Sequence, residues 1–223
     1  MATRKTQITR KTAETDITLT LDPDAAVAGG IRTGVPFLDH LLLSMSFHGR
    51  LGLAVDAKGD LEVDPHHLVE DVGLVLGQAF SEVMEKTGHV ARFGHAVIPM
   101  DEALAEATVD VCGRPTLSWV AAFPQPYAGA FDLSLLRELL TGFAAQARFS
   151  LHLEVRRGEN SHHMAEAAFK ALGKALQAAY ARVRLKCPQK AALDRHLPRS
   201  PSAVLARYLL YQLNQVSWKR RQG

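Results

Sequence analysis

The residues with the clearest capacity for chemistry are His66-His67-Leu68-Val69-Glu70 and His162-His163-Met164-Ala165-Glu166, two copies of one His-His-x-x-Glu block 96 positions apart. Leu76 and Leu172, Gly77 and Gly173, and Ala79 and Ala175 follow at matching distances. On a helix of 3.6 residues per turn, adjacent imidazoles point about 100° apart while a glutamate at i+3 or i+4 returns to their side. Each copy can therefore offer ligands to two metal centres. A single histidine pair on a helix surface is commonplace. Two pairs followed by the same glutamate and the same apolar and small residues point instead to an internal duplication that carries metal ligands. Cys112 and Cys187 stand alone with no Cys-x-x-Cys spacing, so neither a zinc ribbon nor a disulfide framework is expected and the ligands are nitrogen and oxygen.

The elements that must position these residues alternate. Ile17, Leu19 and Leu21 alternate with polar residues as in a half-buried strand, and Pro36 opens a helix whose Phe37, Leu38, Leu41 and Leu42 share one face. LGLAVD and LEVD read as short strands separated by Ala57-Lys58-Gly59, and the first His-His helix runs from about Leu68 to Glu85. In the second half HAVIPMD, EATVDV and TLSWVA read as strands, DLSLLRELLTGFAAQA as a helix and FSLHLEV as a strand, before a second His-His helix reaching about Ala181. His40 precedes His66 by 26 residues and Glu138 precedes His162 by 24, so each block follows a helix at a similar distance. This predicts an α+β chain built by duplication, with helices packed on sheets: residues 1–91, residues 92–185 and an atypical tail, 186–223.

With 223 residues, 47% hydrophobic and 22% charged, the chain can bury a substantial core. No apolar run reaches the ~18 residues of a membrane span, and the start, MATRKTQITRKTAET, lacks the apolar centre of a secretion signal. A cytoplasmic location and no membrane partner are expected. The net charge is +3 and the pI near 9.0, but the cations are dispersed, and Lys219-Arg220-Arg221 is too short for a nucleic-acid-binding tract. Neither a GxGxxG turn nor a Walker-type GxxxxGK[ST] loop occurs, so no nucleotide cofactor is expected.

The segments RKTAETDI, GVPFLDHLL, DPHHLVEDVGLVLGQA, ARFGHAVIPMDEALA, GRPTL and GENSHHMAEAAFKALGKAL, in this order between about Thr9 and Ala181, resemble the imidazoleglycerol-phosphate dehydratase family, manganese enzymes of histidine biosynthesis. The resemblance implies two related βαβ-containing halves with helices on mixed sheets, and a large symmetric homo-oligomer with active sites between subunits. It implies metal ligation by His40, His66, His67, Glu70, His162, His163 and Glu166, with two Mn2+ ions per site. Imidazole and carboxylate without thiolate suit such a six-coordinate, borderline-hard ion. Arg92, Arg114 and Lys170 take the places of phosphate and substrate contacts, as suits a small phosphorylated imidazole. Glu14 takes the place of an active-site glutamate and, with Glu166, completes the expected catalytic residues. Asp71 is a candidate to accept a hydrogen bond from a ligand imidazole.

The reaction so implied is dehydration of imidazoleglycerol phosphate. An imidazolate held by two metals would expel the neighbouring hydroxyl to give a diazafulvene, a carboxylate such as Glu14 would move the protons, and the enol would relax to imidazole acetol phosphate. The chain departs from the family in two places. Counting back from His162, Glu138 stands where the family carries a second-half metal-binding histidine; an oxygen ligand there and a plain surface glutamate are both open. The family's C-terminal Ser-Thr-Lys-Gly segment is absent, and CPQKAALDRHLPRSPSAVLARYLLYQLNQVSWKRRQG follows instead, with an amphipathic stretch from Ala203 to Val216. These departures leave a catalytically impaired homologue as one alternative, and a dinuclear metal phosphohydrolase is another.

Overall fold

The computed structural model describes residues 3–25 and 29–183; the expected tail, with the Ala203 to Val216 stretch, lies outside them. β1 (Thr6–Lys11) and β2 (Thr15–Asp22) form a hairpin, β3 (Ile31–Arg32) leads into α1 (Pro36–Gly49), and β4 (Gly52–Gly59) precedes α2 (His66–Thr87). The plan then repeats: β5 (Phe93–Met100) and β6 (Ala103–Asp110) form a hairpin, and β7 (Thr116–Val120) leads to a small hairpin of β8 (Tyr127–Ala128) and β9 (Phe131–Asp132). α3 (Leu135–Ala147), β10 (Ser150–Arg157) and α4 (Ser161–Ala179) follow. The strand orders β1-β2-β4-β3 and β5-β6-β10-β7 are the same topology twice. In both, the last pair is parallel and flanks a helix, β3-α1-β4 and β7-α3-β10, the βαβ unit that the resemblance implies. The fold is α+β and duplicated, with mixed sheets. Among the described residues, no helix is long and apolar enough to cross a membrane.

Alternation puts Ile17, Leu19 and Leu21 of β2 and Leu53, Val55 and Ala57 of β4 in the core, and β6 and β10 do the same with Ala105, Ala107, Val109, Leu151 and Leu153. Helices cover these faces and join a single core. Two sequence readings need correction, and one strand has no periodic signal of its own. TQITRK, with Ile8 its one large apolar residue, is strand β1, recruited by pairing with β2 from Thr6↔Leu21 to Lys11↔Asp16. Ala57-Lys58-Gly59 does not break β4, because those residues pair with Ile17, Asp16 and Thr15. LEVD forms a turn, not a strand, with Val63 N–H donating to the Asp60 carbonyl.

The helices pack in pairs drawn from different halves, α1 with α4 and α2 with α3, and each pair meets at a glycine. A methyl group at Gly173 would overlap the Met45 carbonyl oxygen and lie 3.1 Å from Gly49 N. One at Gly77 would lie 2.6 Å from the Phe143 carbonyl oxygen and 2.9 Å from Ala147 N. The crossings are thus equivalent: Phe143 answers to Met45, and Ala147 to Gly49. Counting back along both helices from the Met45–Phe143 match, Glu138 takes the position on α3 that His40 takes on α1.

At a helix position free of such contacts, Gly→Ala would stabilise by about 1 kcal/mol through helix propensity. Here the steric term dominates, so Gly173→Ala is expected to destabilise by about 3 kcal/mol. Urea denaturation checks the sign.

Candidate functional site

α1 enters at Pro36, whose fixed φ suits a first turn. Asp39 accepts from the Thr33 N–H at 2.8 Å and the Thr33 hydroxyl at 2.6 Å, which fixes the entry just before His40. α4 starts at Asn160, whose side chain accepts the His162 N–H at 2.9 Å. These starts and the glycine crossing bring His40, from one half, against the second His-His helix.

Glu166 Oε2 lies 3.3 Å from His40 Nε2 and 3.5 Å from His162 Nε2. The rings of His40 and His162 are 5.3 Å apart, and Phe37 packs on the His162 ring at 5.0 Å. Among the described residues, these three alone gather ligand atoms from three side chains within 4.8 Å. His40 Nε2 is buried and makes no hydrogen bond, so its close approach to Glu166 is not a satisfied contact. Two imidazole nitrogens and a carboxylate oxygen converging with one nitrogen unspent fit a divalent cation. The imidazoles of His40 and His162 also line an apolar cavity of about 520 Å³ walled by Val35, Phe37, Leu61 and Phe131.

Lys170 lies one helical turn beyond Glu166 and donates from Nζ to its Oε1 at 2.8 Å, with Met100 Sδ at 3.2 Å. Burial pushes the Glu166 carboxyl up, but the Lys170 ammonium and the His40 imidazole outweigh it and hold the carboxyl below its ordinary value. Glu166 is thereby kept ionised, with Oε2 aimed at the histidines. Leu74 stands at the equivalent position on α2, so Glu70 has no matching ammonium one turn away.

The remaining expected residues form separate groups. His66 Nε2 is 3.8 Å from Glu70 Oε2, and Glu138 is half-buried on the facing helix α3. His67 Nδ1 is 3.0 Å from Asp60 Oδ2, a contact that holds the imidazole above its ordinary pKa, with Glu14 adding to the field. His163 Nδ1 is 2.8 Å from Glu102 Oε2; this bond raises the imidazole and takes the Glu102 carboxyl down to about 2. In both pairs a carboxylate fixes Nδ1, and His163 Nε2 lies 3.8 Å from Asp101 Oδ2. Arg92, at φ 77°, forms a two-pronged ion pair with Asp110, at 2.7 and 3.2 Å. Arg114 sits in an exposed turn held from behind by the Ser150 hydroxyl, which donates to its carbonyl at 3.2 Å. Asp110 is drawn down chiefly by its hydrogen bonds from Arg92, with the charge of Arg114 adding to the field. Among the described residues, no hydrogen bond or ion pair links either arginine to the triad.

Asp71 does not accept from an imidazole; Arg10 and Thr15 occupy its two oxygens. Sequence reasoning missed Asp60, Asp101 and Glu102. Asp101 and Glu102 form the two-residue tip of the β5–β6 hairpin, with Asp101 at φ 48°. An Asp-Glu pair between alternating runs signals a turn, but nothing in it points to a histidine 61 residues away.

Residues 33–176 match the family model described as imidazoleglycerol-phosphate dehydratase. The imidazoleglycerol-phosphate dehydratase of Gluconobacter oxydans is 42% identical over 201 residues, 90% of this chain and 94% of that protein. That of Bacillus velezensis is 49% identical over 176 residues, 79% and 91% of the two chains. The crystal structure of the Staphylococcus aureus imidazoleglycerol-phosphate dehydratase superposes with a TM-score of 0.73 at 37% identity, covering 80% of this chain and 99% of that one. A topology built twice, a histidine–glutamate cluster at a helix crossing and similarity across most of the sequence together show that this chain belongs to the imidazoleglycerol-phosphate dehydratase family.

Proposed function

We propose that the protein is a hydro-lyase that converts imidazoleglycerol phosphate to imidazole acetol phosphate in histidine biosynthesis, using divalent manganese. The observation that carries this reading is the convergence of His40, His162 and Glu166, with one buried imidazole nitrogen unspent, in a chain of this family. His40, His162 and Glu166 would hold one ion, and His66, Glu70 and Glu138 a second on the equivalent helix pair. Bound ions would supply Lewis acidity toward the imidazole ring of the substrate.

Three ligands fall short of six-coordination. His67 and His163, whose Nδ1 atoms are held by Asp60 and Glu102, fit as further ligands through Nε2 for ions held by another copy. Glu14, the arginines and the triad also form separate groups within one chain. This separation supports sites between subunits of a large symmetric homo-oligomer. A phosphorylated substrate is kept inside the cell by its charge, so the reaction is assigned to the cytoplasm.

In the reaction the chain's own groups bind, orient and move protons. Arg92 and Arg114 would fix the phosphate and so anchor the end of the substrate remote from the ring. Lys170 keeps Glu166 ionised and stands ready to contact substrate beside it. Phe37, Leu61 and Phe131 form an apolar wall beside His40 and His162. Glu14, on an exposed turn, would take the proton from the carbon next to the one that loses its hydroxyl and return it to the ring-side carbon as the enol becomes a ketone, while the proton of the enol hydroxyl leaves with the departing hydroxide as water.

The purified protein with Mn2+ is expected to form imidazole acetol phosphate, and Glu166→Gln to lower turnover by about 100-fold or more. Release of inorganic phosphate in place of the ketone would favour a phosphohydrolase, and metal binding without turnover an impaired homologue. Bound manganese is expected to fall by about half in Glu138→Ala and to be retained in Glu138→His, as elemental analysis of dialysed protein would show. Manganese affinity should also depend on pH. A proton competes with the ion for His163, whose pKa is raised above 6.5, so affinity should begin to fall while the pH is still above that value as it is lowered. Calorimetric titration across pH 6 to 8 checks this direction, and an affinity that rises on acidification would contradict it.

A further inference from the structure

The contacts that fix the Glu14 turn lead to one buried carboxylate. Asp71 of α2 is 8% exposed. Its Oδ1 accepts from Arg10 Nε at 2.9 Å and its Oδ2 from the Thr15 hydroxyl at 2.5 Å, so the strands entering and leaving the β1–β2 turn are tied to the same side chain. Within the turn, Thr12 Oγ1 accepts the Glu14 N–H at 3.2 Å and the Thr15 N–H at 3.0 Å, and Thr12 N–H donates to the Thr15 carbonyl at 2.9 Å. Glu14 is exposed, and its charge acts on His67, at the start of the helix that carries Asp71.

We propose that Asp71 is a positioning residue, which acts through Thr15 and Arg10 to hold the Glu14 carboxylate in register with the His66-His67 end of α2. The inference rests on the reading of Glu14 as the group that moves protons. An exposed turn reaches no fixed place by itself, and a misplacement of 1 Å costs about 100-fold in rate. Charge-assisted bonds to a buried carboxylate on the helix that bears His66, His67 and Glu70 give the turn the same frame as those residues.

The test is a double-mutant cycle on the full-length, manganese-loaded protein. Asp71→Asn and Thr15→Val are each expected to lower kcat about 10- to 100-fold while KM and bound manganese stay within about twofold of the parent. Thr15→Ser, which keeps the hydroxyl, should keep kcat. Added to Glu14→Gln, Asp71→Asn should cause no further loss, because it acts through the residue already removed. Losses that multiply, or a kcat that falls only in step with lost manganese, would overturn the proposal. If Glu14→Gln is impaired while Asp71→Asn and Thr15→Val turn over like the parent, the positioning inference fails alone. If Glu14→Gln itself turns over like the parent, the reading of Glu14 fails and the inference falls with it.

Discussion

The site depends on one steric constraint: the backbones of α1 and α4 touch. No side chain stands between Gly173 and the Met45 carbonyl, and this contact sets the depth at which α1 lies against the second His-His helix. His40 and Glu166 belong to different halves of the duplication, and they meet one to two turns along from that contact, on the N-terminal side. A residue with a Cβ at the crossing would lift one helix off the other and open the cluster. The same arrangement at Gly77 shows that both halves of the duplication share the crossing.

Electrostatics then decides what the cluster can hold. Glu166 is largely buried, which by itself would favour a neutral carboxylic acid, and Lys170 reverses that preference from one turn away on the same helix. The result is an anionic oxygen facing two imidazoles, one with an unsatisfied buried nitrogen. Burying such a nitrogen without a hydrogen bond costs stability, and a cation seated there would offset the cost. On the other helix pair the balance differs: Glu138 stands in place of an imidazole and Leu74 in place of the lysine, so that pair carries more negative charge at these positions.

Much of this was legible in the sequence because duplication repeats a pattern that chance does not. The His-His-x-x-Glu blocks, the helices that hold them and the α+β alternation follow from spacing and periodicity. β1 escaped because Ile8 is the only large apolar residue in TQITRK, so its pairing with β2 and not its own pattern makes it a strand. LEVD misled because alternation also occurs in a turn whose backbone bonds to itself. Asp60 and Glu102 could not be matched to His67 and His163 from the sequence, since loops bring them together. Lys170 was visible as a cation one turn from Glu166, but its bond to that carboxylate, at 2.8 Å, depends on the burial of both.

The most direct measurement is anomalous diffraction at the manganese edge from crystals of the full-length protein soaked in Mn2+. A peak is expected in bonding contact with His40 Nε2, His162 Nε2 and Glu166 Oε2, with Lys170 still on the other oxygen of Glu166. A peak confined to other residues, or an occupied crystal in which His40 Nε2 remains uncoordinated, would contradict it.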